Sequence, residues 1–250
     1  MSSRPQLNIF YRHVHIKADK LSRDPNKNRP NWFSHEICFS NLLKTIKDDP
    51  LGNNVKLTIV YDGTLNDFRE DFIFKYVTPE SEINLQLIDA KSDLNSFLIT
   101  LHVASQVTKY DQDLIYILEN DYLHKPGWIS KIYELYEHQE RFDYVSLYDH
   151  NDKYIYQAYD NLSSKIITTP SQHWRTTPST CASFILTKNK LIKDIDVFAS
   201  GLTDYYFFNK LIIERSRILL TPVPGLATHS MEGYLSPVIN WLEIAKNSMM

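Results

Sequence analysis

Glycine is scarce in this chain of 250 residues. Gly52, Gly63, Gly127, Gly201, Gly225 and Gly233 are the whole set. None of them is spaced as G-x-G-x-x-G or as a Walker A loop, so the glycine-loop routes to dinucleotide and phosphate binding are excluded. A phosphate held here needs another device, most simply a metal ion. Cysteine is scarcer still. Cys38 and Cys181 stand far apart among apolar or small neighbours and read as buried reduced thiols. Without a C-x-x-C there is no zinc knuckle. No apolar run approaches the ~20 residues of a membrane span. The opening Met-Ser-Ser-Arg-Pro-Gln lacks the apolar region of a signal peptide. The expectation is a soluble cytoplasmic protein, at most peripheral to a membrane. Positive charge is not in excess either: 27 Lys and Arg face 30 Asp and Glu, a formal net charge of −3. Nothing overall draws the chain to nucleic acid or to an anionic membrane.

What is present is ordinary globular material, 43% hydrophobic and 23% charged, enough to bury a sizeable core. Short β-branched and aromatic runs predict strands over 7–14, 55–61, 83–88, 114–118, 144–148, 165–169, 182–187 and 218–222. Apolar residues at helical spacing predict helices over 34–47, 92–109, 126–139, 203–215 and 236–246, and Thr64-Leu-Asn-Asp67 opens another with a capping-box pattern. Strands alternating with helices imply an α/β fold with a sheet that is mostly parallel in its first half. No linker-like tract divides the chain, so one domain over 1–250 is expected, with halves meeting near residue 125. Residues 17–31 read as a polar loop that carries Arg23, Lys27 and Arg29.

In open α/β sheets, ligands bind beyond the carboxyl ends of the strands. Tyr11-Arg12 lies at the end of the first apolar run, Asp62 follows the second, and Asp89 with Ser92 follows the third. Glu119-Asn120-Asp121 follows the fourth and Asp149-His150 the fifth. Acids at strand ends also serve as turn formers and helix caps. The series as a whole points to one polar rim. Glu119 and Asp121 form an acid-x-acid pair directly after a buried-strand pattern, and alternation in an extended stretch would set both on one side. Carboxylates so placed suit a hard cation that completes its shell with substrate phosphates.

These elements, with His229 in Gly225-Leu-Ala-Thr-His229, resemble the GT-A glycosyltransferases, most closely the inverting, family-2-like members with a D-x-D motif. The resemblance extends over nearly the whole chain. It implies a GT-A fold, with 1–125 as the nucleotide-sugar-binding half and 126–250 as the acceptor-binding and catalytic half. It also implies that Tyr11, Arg12 and Asp62 line the nucleotide pocket and that Ser92 and Ser96 pass beside it. Glu119 would meet the ribose, with Asn120 beside it, and Asp121 and His229 would hold Mn²⁺ or Mg²⁺. Asp204, opening the helix at Thr203-Asp-Tyr-Tyr, would be the base on the acceptor hydroxyl. Glu in place of Asp at position 119 departs from the motif.

The residues also admit plainer roles. Asp204 suits the first turn of a helix capped by Thr203. His173-Trp174-Arg175 reads as a polar loop in which Trp174 stacks on a sugar and Arg175 meets phosphate, or in which both simply pack. Asp149 and His150 are candidates for the acceptor or donor sugar. The expected activity is metal-dependent transfer of a hexosyl or deoxyhexosyl group, with a UDP-sugar as default donor, to a glycan hydroxyl, with inversion. The alternatives are a metal-dependent phosphoesterase and a non-catalytic nucleotide- or glycan-binding module. The enzyme reading turns on a cation against Asp121; in a liganded structure, that carboxylate turned away, or stitched into a buried ion pair with no room for a guest, would leave fold likeness alone.

Overall fold

A computed structural model of the chain describes residues 4–14, 28–138 and 142–248. The apolar runs become strands β1 (Leu7–Val14), β2 (Val55–Asp62), β3 (Ile83–Ile88) and β4 (Leu114–Glu119), followed by the short β5 (Tyr122–His124). β6 (Tyr144–Val145), β7 (Ile166–Thr169), β8 (Gln172–Thr176), β9 (Phe184–Thr187), β10 (Leu219–Val223) and β11 (Ala227–His229) complete the set. The helices are α1 (His35–Asp48), α2 (Leu65–Glu70), α3 (Asp93–Val107) and α4 (Trp128–His138). They continue with α5 (Asp152–Ile155), α6 (Lys188–Phe198), α7 (Asp204–Arg215) and α8 (Trp241–Asn247).

Nine strands form one sheet in the order β3-β2-β1-β4-β9-β6-β10-β8-β7. The first four run parallel, and β9 enters antiparallel to β4. The reason is in the residues. β1 and β4 bring apolar residues to both faces, as a strand covered by helices on either side requires, and nearly every residue in them is buried, Asn8, Arg12 and His13 of β1 included. One face packs under α1 and α4 through Phe39, Leu42, Trp128 and Ile132. The other packs under α3, α6 and α7 through Phe97, Leu101, Phe198, Phe207 and Phe208.

Capping fixes where the helices start. Ser34 caps α1, Ser92 caps α3, and Thr64 with Asp67 makes the expected capping box at α2. Several elements depart from the sequence expectation. The strand expected over 144–148 is Tyr144–Val145 alone, the helix expected over 236–246 begins at Trp241, and Lys188–Phe198, for which no element was predicted, is a helix. Gln172–Thr176 is a strand, not a polar loop, because Trp174 inserts into the core while its neighbours face outward. β5 and β11 pair as a separate ribbon over the sheet's rim. Of the expected loop at 17–31, the part through residue 27 lies outside the described residues, as does Gln139 at the end of its expected helix. Among the described residues no helix is long and apolar enough to cross a membrane.

Candidate active site

The carboxyl ends of the parallel strands make the rim, and strand order locates its crevice. β1 lies between β2 and β4, so successive crossovers leave it in opposite directions, which is the topological switch point of such sheets. In the parallel register Arg12 of β1 stands opposite Glu119 of β4. The Arg12 guanidinium donates to the Asp93 carboxylate (2.7 Å) and backbone carbonyl (3.1 Å) at the start of α3. It stands 3.8 Å from Glu119. Glu119 is braced from β9's side: its N–H donates to the Ser183 hydroxyl (3.0 Å), which donates back to the carboxylate (3.4 Å).

β4 stops at Glu119, and Asn120 and Asp121 form a turn into β5. The same-side argument from strand alternation therefore does not apply; the turn, not the pleat, aims Asp121. Asn120 is locked in place. Its amide donates to His13 (3.0 Å), which contacts Asp71 (3.1 Å), and its carbonyl accepts from Tyr11 (3.3 Å) and His35 (3.2 Å). Asp121 is 3% exposed. One carboxylate oxygen, Oδ2, accepts from the Arg29 guanidinium (2.7 Å) and contacts His229 Nε2 (2.9 Å). His229 ends β11 and stacks on Tyr122 of β5, ring centroids 5.3 Å apart. The ribbon thus delivers the histidine to the acid.

Asp204 opens α7, and its carboxylate accepts from the next residue's N–H (2.9 Å). Thr203 precedes the helix but makes no side-chain cap. Burial pushes the Asp204 carboxyl above its usual range; backbone hydrogen bonds pull it back in part, Asp93 adds to the rise and His229 opposes it. Cys181 is a free thiol in the same neighbourhood. Burial, then the charges of Glu119 and Asp204, push it well above its usual range, so it stays a thiol. Glu119, Asp121, Cys181, Asp204, His229 and Asp93 therefore share one electrostatic environment.

Several expected site residues have other work. Tyr11 is buried in the core, and its hydroxyl supports Asn120; its ring has no face toward a nucleotide. Asp62 ends β2 and accepts from the Ala90 N–H (3.0 Å), fixing the turn before α3. Ser92 is the exposed cap of α3, while Ser96 is buried within the helix. Trp174 is 0% exposed and its indole points toward Thr169 (3.4 Å), so it cannot stack on a sugar. Asp149 and Arg175 pair with each other (2.8 Å), and Tyr154 donates to the same carboxylate (2.7 Å). His150 accepts from the Cys181 N–H (3.3 Å) and packs on Tyr148. Burial first, then the positive charge of Lys153, holds its imidazole well below the usual range, so it is neutral. Arg29, Asp93 and Ser183 were not singled out as site residues. Only the strand-end rule could have flagged Asp93 and Ser183, and Arg29 comes from a loop whose path the sequence does not encode locally.

A divalent ion was expected on Asp121 and His229. Their facing atoms converge, but Oδ2 is already bound by Arg29, and among the described residues no group of three or more His, Cys, Asp or Glu side chains adds further ligands. As folded, the described residues do not fit Mn²⁺ or Mg²⁺. A separate cavity of about 590 Å³ lies at the opposite ends of the strands, near Arg4, Asn8, Lys56 and Lys188, away from the acidic rim.

No family model and no curated protein matches the sequence. Solved structures do share its shape. A nucleotide-diphospho-sugar transferase from Desulfovibrio desulfuricans G20, itself described as putative, superposes with TM-score 0.51 at 13% identity, covering 87% of this chain and 79% of that one. The galactosyltransferase LgtC, in complex with donor and acceptor sugar analogs, gives TM-score 0.46 at 7% identity, over 82% of this chain and 70% of that one. At these identities the likeness shows the fold alone: a mixed α/β GT-A architecture around a large sheet.

Proposed function

We propose that the chain transfers a sugar from a nucleotide diphosphate sugar to a hydroxyl acceptor. The observation that carries the reading is the rim where Arg12 and Glu119 face each other and Asp121 meets His229 at the switch point of a sheet shared with a nucleotide-diphospho-sugar transferase; the charges of Asp93 and His229 reach Asp204. In this reading the donor enters the crevice between β1 and β4, with Arg12 and Glu119 beside the nucleotide. The chemistry is a displacement. The bond from the sugar's anomeric carbon to the diphosphate oxygen breaks, and its electron pair leaves with the diphosphate. The acceptor oxygen bonds to the same carbon from the far face, and its proton passes to a carboxylate. Such an in-line course inverts the anomeric centre.

Asp204 suits the base. A carboxyl raised by burial is a better proton acceptor than an ordinary one, and it remains ionised at neutral pH unless the rise is extreme. Next to it, Tyr205 and Tyr206 are 46% and 60% exposed. Their rings offer the flat apolar faces expected of an acceptor-sugar platform, a role that buried Trp174 cannot fill. A hexosyl donor, UDP as its nucleotide and a glycan acceptor are the specific forms we assign to this reaction. A two-metal phosphoesterase would need a denser ligand set than the described residues provide.

The experiment is a screen of nucleotide sugars against sugar acceptors, reading release of nucleoside diphosphate and a new glycoside, on wild type and Asp204→Asn. The expected outcome is turnover by wild type, with retained donor binding and lost transfer in the variant. Donor binding without turnover for any acceptor would make the chain a binding module. No binding of any nucleotide sugar would remove the proposal.

A further inference from the structure

We propose that Arg29 is the cation of the donor site, so that the chain holds a nucleoside diphosphate with a guanidinium where a divalent ion was expected. The inference rests on the glycosyl-transfer reading above. It starts from the carboxylate oxygen of Asp121 that faces His229. Arg29 occupies that oxygen at 2.7 Å, which is the position a metal bridging Asp121 and His229 would need.

The guanidinium is pinned on three sides. One Nη donates to Asp121, the other donates to the Ser230 carbonyl (2.8 Å), and the Phe33 ring covers a face with its centroid 4.4 Å away. Its side chain nevertheless keeps 19% of its surface exposed. A guanidinium has five N–H donors. The two contacts above leave others for a ligand, and the planar fork suits paired phosphate oxygens. A charge held in place before the substrate arrives needs little reorganisation when negative charge builds on the leaving diphosphate.

A second guanidinium stands on the same rim. Arg12 is 6% exposed, and its Nε and Nη1 make no hydrogen bond among the described residues. Buried N–H groups of a cation are rarely left unmatched, and an anionic ligand beside Glu119 would answer them. Asp121 then has a different task from the one expected. It orients Arg29, and His229 holds Asp121. Arg29 contacts the leaving group, while Asp121 and His229 are positioning residues.

The test is calorimetric titration of UDP, and in parallel GDP, into the full chain, once with EDTA and once with Mn²⁺. The expected result is binding in EDTA within about twofold of that in Mn²⁺. Arg29→Gln should weaken binding in EDTA by about tenfold or more, the loss expected for a charged hydrogen bond. Added Mn²⁺ should restore part of the loss, because Asp121 is released. Arg29→Lys should restore charge but not the fork and fall between. A wild-type affinity that drops tenfold or more in EDTA would overturn the proposal, and that comparison needs no variant to fold. Equal affinity of wild type and Arg29→Gln in EDTA would overturn it as well. If Arg29 is refuted while nucleotide still binds, glycosyl transfer stands and Arg29 falls. If neither nucleotide binds in either buffer but another nucleotide sugar does, the titration is repeated with that sugar's nucleoside diphosphate. No binding by any would end both.

Discussion

Helix α7 begins at one half-buried carboxylate and ends beside a fully buried one, and the two are built for different ends. At its far end, Asp194 on α6 is 0% exposed. Arg217 grips it with two bonds (2.9 and 2.8 Å), Arg215 adds a third (2.9 Å) and the Tyr144 hydroxyl donates to it as well. Those partners come from α7, from the residues entering β10 and from β6, so the cluster ties the elements together. At the near end, no arginine pairs with Asp204 among the described residues. It accepts a backbone N–H and faces other acids and His229 across the rim. The two carboxyls are accordingly pushed in opposite directions. Burial raises both, but at Asp194 the hydrogen bonds from Arg217, Tyr144 and Arg215 outweigh it and lower the carboxyl below its usual range. At Asp204 burial wins. A buried acid is therefore not in itself a sign of chemistry. An acid raised by burial and left unpaired by a cation, at a switch-point rim, is.

The sharpest way to break the contrast is to neutralise each acid. Asp204→Asn should lower transfer by roughly 100- to 10,000-fold, the usual range for losing a general base, with folding stability close to wild type. Rates from product release and stability from urea unfolding check the two halves separately. Asp194→Ala should do the reverse. It removes the buried acceptor shared by Arg217, Arg215 and the Tyr144 hydroxyl and should cost about 3–5 kcal/mol of stability, with specific activity of the folded fraction unchanged at a temperature where it remains folded. Activity lost in proportion to transfer chemistry in Asp194→Ala, or a stability collapse in Asp204→Asn, would erase the distinction.

The fold was largely legible because its core strands obey local rules. The runs at β1 and β3 start and end where predicted, and those at β2 and β4 extend one residue further, since strand-forming apolar residues predominate in each run and turn residues mark its ends. The rim followed from the same rule: what comes after each strand comes to the same edge. Trp174 was misread because its strand alternates. With His173 exposed and Arg175 half-buried on either side, the segment looks polar until β10 and β7 flank it. α6 was missed because it starts directly after β9, whose last residue Thr187 is also its cap, and its first three residues, Lys188-Asn189-Lys190, are polar. The partner of Asp121 was beyond reach for another reason. Arg29 lies 92 positions away from it, and nothing local in Asn28-Arg29-Pro30 announces an ion pair. Pairings closed by loops are tertiary facts, and the expected metal on Asp121 took no account of this one.

Smaller effects sharpen the comparison between Asp121 and Asp194. Both carboxylates are shut off from water and their arginines are similarly part-exposed, but Asp194 is shared by two arginines and the Tyr144 hydroxyl, whereas Asp121 meets Arg29 and His229. Asp121→Asn leaves Arg29 with the Ser230 carbonyl and the Phe33 ring, and a partly solvated guanidinium loses little by it. The expected cost is about 1–2 kcal/mol, well under that of Asp194→Ala; equal costs in urea unfolding would place the two ion pairs in one structural class.

pH reads the same difference with the smallest amplitude. Asp194 has a lowered carboxyl, so its stabilisation is present above the unfolded value near 3.9 and is lost as pH falls through the lower folded value. Asp204 has a raised carboxyl, so folding favours its protonated form. Its contribution is complete below the unfolded value and is lost as pH rises through the higher folded one. Asn imitates the protonated form. Asp204→Asn should therefore match wild-type stability at acid pH and exceed it slightly at neutral pH, while the wild-type transfer rate rises with pH across that same interval as the base ionises. A rate that climbs only within the ordinary carboxylate range, together with a stability difference that does not change with pH, would show that Asp204 is an ordinary first-turn acid completing the dipole of α7.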